Sequence, residues 1–148
     1  MGAMGKMMAG IGFMAFSMAM KKAISTGKEF QQSMANVKAI SGATAKEFKA
    51  LEANARALGA STVFTASQVS QLQTEYSKLG FTAKEIVNVT EGTLALASAV
   101  GSDLATSAAT AGTTLRGFGL DVSETGRVTD VMALSFSKSA LDMAKFSD

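Results

Sequence analysis

Three short runs have the residue types and spacing of reactive or binding sites. Gly10-Ile11-Gly12-Phe13-Met14-Ala15 follows the glycine spacing of a dinucleotide-binding turn, and Glu29 stands about where a ribose-binding acid would lie. That chemistry needs a strand before the turn and a parallel strand after the helix, so that backbone N–H groups face the pyrophosphate. Nine residues rich in Met and Gly precede the run and no strand pattern follows it, so the run reads as helix. Asp121 and Glu124 form a carboxylate pair, but acid–base work needs one member raised in pKa by burial or by a close neighbour. Flanking Ser123, they read as acids at a helix N-terminus. Asn88-Val89-Thr90 is a glycosylation triplet inside a helical pattern, and such triplets arise by chance. Arg116, just before Gly117-Phe118-Gly119, suits the negative end of a helix and could also touch a partner.

The remaining composition narrows the chemistry further. The chain has 148 residues and contains no cysteine, histidine, tryptophan or proline. Disulfides, thiol catalysis, imidazole or thiolate metal sites and histidine triads are therefore excluded. No enzyme, cofactor or metal site is expected. An apolar fraction of 47% supports a packed core. A formal charge of +2 is too small to imply specific nucleic-acid binding. Its distribution says more: residues 1–49 carry seven lysines against Glu29 and Glu47, whereas residues 50–148 carry seven basic and ten acidic groups.

The first twenty residues hold seven of the ten methionines, and between Met7 and Met20 only Ser17 is polar. Methionine is flexible and polarizable and adapts to irregular apolar partners. A membrane span needs about 20 apolar residues, more than this run supplies. Lys6, the apolar run and Ser17-Met18-Ala19 resemble a signal peptide, although the pattern continues without a break beyond it. The third reading is a helix that packs against partner helices. Ala15, Ala19, Ala23 and Gly27 recur every four residues, a narrow seam that permits close approach. Phe13, Met14, Phe16 and Met18 leave almost no polar face, so every side of this helix needs apolar company. The expected contact residues are thus Phe13, Met14, Ala15, Phe16, Met18, Ala19, Ala23 and Gly27, with self-association as the favoured outcome.

Downstream, Gly42, Gly59, Gly80, Gly101 and Gly119 punctuate helix-period segments, as left-handed C-caps do. Thr44-Ala45-Lys46-Glu47, Thr65-Ala66-Ser67-Gln68 and Thr82-Ala83-Lys84-Glu85 are capping boxes. Phe48, Leu51, Ala55 and Leu58 form one apolar stripe; Val69, Leu72, Tyr76 and Leu79 repeat it; Leu104, Ala108, Ala111, Leu115 and Phe118 form a third. No charge lies between Glu91 and Asp103, so that helix is expected to be the most buried. Ser61-Thr62-Val63-Phe64 has the residue types of a short extended link. The expected fold class is all-α: a long apolar and basic N-terminal helix over residues 1–41, then a core region over residues 42–148 of short, mostly antiparallel helices. These are expected near 45–58, 66–79, 83–100, 103–118 and 124–136. A last one starts near Ser139 and stops without a cap, which fits either a frayed tail or a natural chain that continues.

Several longer runs carry a family likeness. Phe30-Gln31-Gln32-Ser33-Met34-Ala35-Asn36-Val37, Phe48-Lys49-Ala50-Leu51-Glu52-Ala53-Asn54-Ala55, Leu79-Gly80-Phe81-Thr82-Ala83 and Gly117-Phe118-Gly119-Leu120 resemble, in order and spacing, phage tail tape-measure proteins. The resemblance runs from about residue 29 to the C-terminus. It implies a mostly helical structural protein of the virion that lies in the tail lumen, sets tube length and leaves with the genome. It implies tail-tube, tail-tip and tail-assembly proteins as partners, with synthesis in the host cytoplasm and transient contact with the host inner membrane. It carries over no catalytic residue. At 1.5 Å per residue, 148 residues span at most about 220 Å, so the resemblance implies a fragment or prophage remnant rather than a whole ruler. The competing expectation is a small pore-forming helical protein that inserts residues 7–20.

Overall fold

The computed structural model describes the backbone of residues 3–138 and, from residue 15 on, the side chains other than those of Phe16, Ala23 and Ile24. Among the described residues there are six α-helices and no strand: α1 (Ala3–Ser41), α2 (Ala45–Ser61), α3 (Ala66–Lys78), α4 (Ala83–Val100), α5 (Leu104–Gly117) and α6 (Thr125–Lys138). A single 3-10 turn, Val122–Glu124, leads into α6. The chain is all-α, as its periodicity requires. The segment expected from Ser139 onward lies outside the described residues.

Helix starts follow from the local sequence. At Thr44, Thr65 and Thr82 both halves of the capping box form: the threonine hydroxyl accepts from the backbone N–H three residues on, and the Glu or Gln side chain accepts from the threonine N–H. Asp103 caps α5 by accepting from the Thr106 N–H at 2.9 Å. Asp121 accepts from the Ser123 N–H at 2.9 Å and opens the 3-10 turn. These bonds favour the ionised carboxylate and hold Glu47, Glu85, Asp103 and Asp121 below the usual range, through bonds to Thr44, Thr82, Thr106 and Ser123 respectively.

Helix ends agree with expectation at four of the five glycines: Gly42, Gly80, Gly101 and Gly119 have positive φ. Gly59 does not. It lies inside α2, which runs on to Ser61. A Cβ there would sit 2.5 Å from the Ala66 nitrogen and 2.7 Å from its Cα, so glycine is present because the start of α3 crosses at that point. Glycine spacing alone cannot distinguish a cap from a close crossing. Ser61–Phe64 forms a bent link between α2 and α3.

Packing sets the order of the layers. α2 runs back along α1, with Arg56 over the Phe30 ring at 4.5 Å and Lys38 over Phe48 at 5.7 Å. The closest packing, however, skips an element in each half: α1 lies against α3, and α4 against α6. At the second crossing a Cβ on Gly92 would already touch Thr125 and Thr129 at 3.2 Å, so the missing side chain sets how near α6 comes. The most central element is α3, which packs on α1, α2, α4 and α5. Eight of its 13 residues are buried, against eight of 18 in α4, so the expectation that α4 would be the most enclosed is corrected. Its burial was hidden by composition, because Ser67, Ser70, Gln73, Thr74 and Ser77 are all interior.

Most of those polar groups find partners, the exceptions being Ser67 Oγ and Gln73 Oε1, which are buried without one. Ser70, Thr74 and Ser77 donate to carbonyls three or four residues back. Gln73 donates to the Leu51 carbonyl and to Asn54 Oδ1, both at 3.0 Å, and so ties α3 to α2. Tyr76 shares a hydrogen bond with Thr93 of α4 and meets the Phe81 ring edge-on at 5.0 Å.

Two measurements check this core. Leu96 is 1% exposed, so Leu96→Asp should destabilise the fold by about 3 kcal/mol or more and lower the melting temperature by about 10 °C. A shift under about 2 °C would remove Leu96 from the core. Burial pushes the Tyr76 hydroxyl up to about 12, with the Thr93 hydrogen bond opposing. The folded state therefore favours the neutral phenol. That contribution, about 2–3 kcal/mol, is intact below pH 10 and is lost as pH rises from about 10 to 12. The chain has one tyrosine, so tyrosinate absorbance reads this group alone; ionisation near pH 10 without unfolding would mean that Tyr76 is solvated.

Candidate functional site

Among the described residues of α1 the buried positions fall in the last twelve: Phe30, Ser33, Met34 and Val37 form an i, i+3, i+4, i+7 stripe against the body. Ala3–Glu29 continues the same helix for 27 residues, or about 40 Å at 1.5 Å per residue. Alanine, methionine and lysine are good helix formers, and no β-branched run interrupts the segment. Ser25 and Thr26 turn their hydroxyls onto the Lys22 carbonyl, both at 2.9 Å.

All eight expected contact residues lie on this arm. Ala15, Met18, Ala19 and Gly27 are exposed, with Met18 at 71% and Met20 beside it at 50%. Nothing lies within 4 Å of where a Gly27 Cβ would be. Ser17 is half-buried. The side chains of Phe13, Met14, Phe16 and Ala23 are not among those described, so these four are placed by backbone alone. The glycine run at residues 10–15 is helical on both sides, which leaves no strand-to-helix turn for a dinucleotide. Among the described residues no helix is long and apolar enough to cross a membrane.

The other flagged residues have structural partners. Glu124 pairs with Arg127 at 2.6 Å and Asp121 caps its turn. Asn88 is exposed on α4. Arg116 lies over the Phe81 ring at 4.2 Å and reaches Glu85 at 3.4 Å, so it clasps the end of α5 to the start of α4. No group of acidic side chains that could hold a metal forms among the described residues.

The fold also assembles surfaces that linear spacing could not reveal. Between the N-terminal turns of α2 and α4 lies an open groove of about 480 Å³, floored by Ala50, Ala83 and Val87 and rimmed by Lys46 and Lys84. Two further grooves, of about 500 and 290 Å³, meet at Phe64. The charged residues lining them are Glu75, Asp103 and Glu91, all acidic. These carboxylates sit on three different helices and are separated by up to 28 positions, so only the fold brings them together.

Comparison with known proteins adds the family. Residues 52–148 match the phage-related minor tail protein family. Over 110 residues the chain is 37% identical to the tape measure protein of Pneumococcus phage Dp-1, an alignment that covers 74% of this chain and 10% of that protein. No solved structure matches.

Met18 is 71% exposed, and this has a measurable consequence. Met18→Asp should leave the melting temperature within about 2 °C of the parent, because an exposed site away from the core changes stability by about 0.5 kcal/mol or less. A larger drop by calorimetry would show that the arm packs on its own body.

Proposed function

Since the chain belongs to the phage-related minor tail protein family, and so to the structural proteins of a phage tail, we propose that it forms part of a tape-measure protein that sets tail-tube length and assists genome passage into the host. The observation that carries this reading is the long α1, a helix of 39 residues whose described apolar side chains before Phe30 are exposed. A helix reports length in proportion to residue number, at 1.5 Å each, and needs no chemistry to do so. The chain spans about a tenth of the curated relative it matches, so in this reading it supplies one part of a longer ruler.

The same reading assigns roles to the two regions. The part of α1 before Phe30 is the assembly element, and the last turns of α1 with α2–α6 are the folded body. The arm has apolar side chains on more than one face, and a solvated monomer offers it no cover. It associates with further copies of the chain and with tail-tube, tail-tip and tail-assembly proteins in the lumen of the virion. Contact of the Met-rich start with the host inner membrane would come during genome entry.

An in-frame duplication of 18 residues within the arm, five helical turns, tests the ruler in the phage that encodes the chain. Tails measured by electron microscopy should lengthen by about 27 Å, and removal of the same turns should shorten them equally. Unchanged tail length in both variants would overturn the ruler reading. For assembly, sedimentation of the full chain should show concentration-dependent oligomers, whereas the chain lacking residues 1–20 should be monomeric with its helical circular dichroism intact. A monomeric full chain would refute self-association.

A further inference from the structure

We propose that the arm of one copy docks in the acidic, apolar surface around Phe64 of a second copy. This deepens the reading of α1 as an assembly element and rests on it. The two surfaces have complementary chemistry. The arm presents Met18 and Met20 beside Lys21 and Lys22, and its remaining described charges are Lys28 and Glu29. None of these lysines makes an ion pair among the described residues. The receiving surface places half-buried Phe64 and Leu104 and the 82% exposed Val63 among Glu75, Glu91 and Asp103. Glu75 pairs with exposed Lys78 at 2.8 Å and Asp103 caps α5, whereas Glu91 makes no ion pair among the described residues. Flexible methionines fill irregular apolar grooves of this kind. The lysine stems lie along apolar surface while their ammonium groups reach carboxylates.

The other grooves fit the arm less well. The one between α2 and α4 is lined by Lys46 and Lys84 with Glu47 as its single acid, and that carboxylate is held by the Thr44 cap, so it offers a basic helix less than the all-acidic surface. The one between α5 and α6 has Arg127 as its charged lining residue. A pairing of two arms side by side in the same direction would set Lys21, Lys22 and Lys28 against their own copies. Docking on the acidic surface avoids that repulsion. It also joins unlike surfaces, so the contact is heterologous and passes from copy to copy.

The natural chain has no cysteine, so introduced thiols report on one contact alone. Met18→Cys and Gln71→Cys, both at exposed positions, are made in separate full-length chains, mixed, and treated with a short bismaleimide. The expected result is a cross-linked dimer that needs both variants. Charge reversal at Lys21→Glu and Lys22→Glu in the Met18→Cys chain should reduce its yield at least tenfold, and Glu75→Lys in the Gln71→Cys chain should restore it. Cross-linking of Met18→Cys to itself at the same yield would overturn the docking surface while leaving self-association in place. Monomeric sedimentation with no cross-link in any mixture would overturn both. Cross-linking indifferent to the charge reversals would also overturn it, because complementary charge is its basis.

Discussion

The body is organised by the need of one buried polar helix to satisfy its hydrogen bonds. α3 lies at the centre, yet half of its buried residues are Ser or Thr and one is Gln. A buried amide or hydroxyl without a partner is costly, so each conformation of the bundle is tested against these groups. Local back-bonding settles Ser70, Thr74 and Ser77, while Ser67 Oγ is left without a partner. Gln73 and Tyr76 cannot be settled locally and reach to α2 and α4. Those two side chains fix the lengthwise register of three helices. Apolar packing alone would tolerate sliding by a turn, since the same alanines and leucines recur along each stripe.

α1 obeys two different rules along one continuous helix. From Phe30 to Ser41 it is amphipathic and its apolar stripe faces α3. Before Phe30 the apolar residues spread around the helix and the described ones are exposed. The boundary needs no break in the backbone, because helix propensity stays high on both sides. It is a change in where the apolar groups point. The stripe from Phe30 to Val37 is covered by the body, whereas Ala15, Met18, Ala19 and Met20 are exposed.

Much of this was legible in the sequence because it is governed by neighbours a few residues apart. The three capping boxes each form as written, and the helix limits fall within about three residues of those expected. Thr44 and Glu47 need only each other to start α2. What stayed hidden depends on distant partners. Gly59 looked like a cap until Ala66 crossed it. Nothing in the spacing of Ser70, Gln73 and Ser77 marks them as interior, and their burial follows from helices packing around α3. The acidic surface at Phe64 gathers residues from α3, α4 and the start of α5. For the arm, the unrelieved apolar run from Met7 to Met20 was the informative signal. Arg116 was recognised as a helix-end cation, but its seat on Phe81 was not legible.

Because α1 is clamped over its last twelve residues and its described apolar side chains before them are exposed, it has the geometry of a cantilever. A tilt of about 5° at Phe30 would sweep the far end by 3–4 Å, roughly the width of a side chain, given an arm of about 40 Å. Small adjustments in the seat of Phe30, Met34 and Val37 are therefore magnified at the methionine-rich tip. The reverse also holds: a lateral load on the tip acts with the full length of the arm as leverage on the α1–α3 seam. In that geometry the alignment of the whole rod is governed by a few interior side chains beside Ser67, far from any surface the rod itself touches.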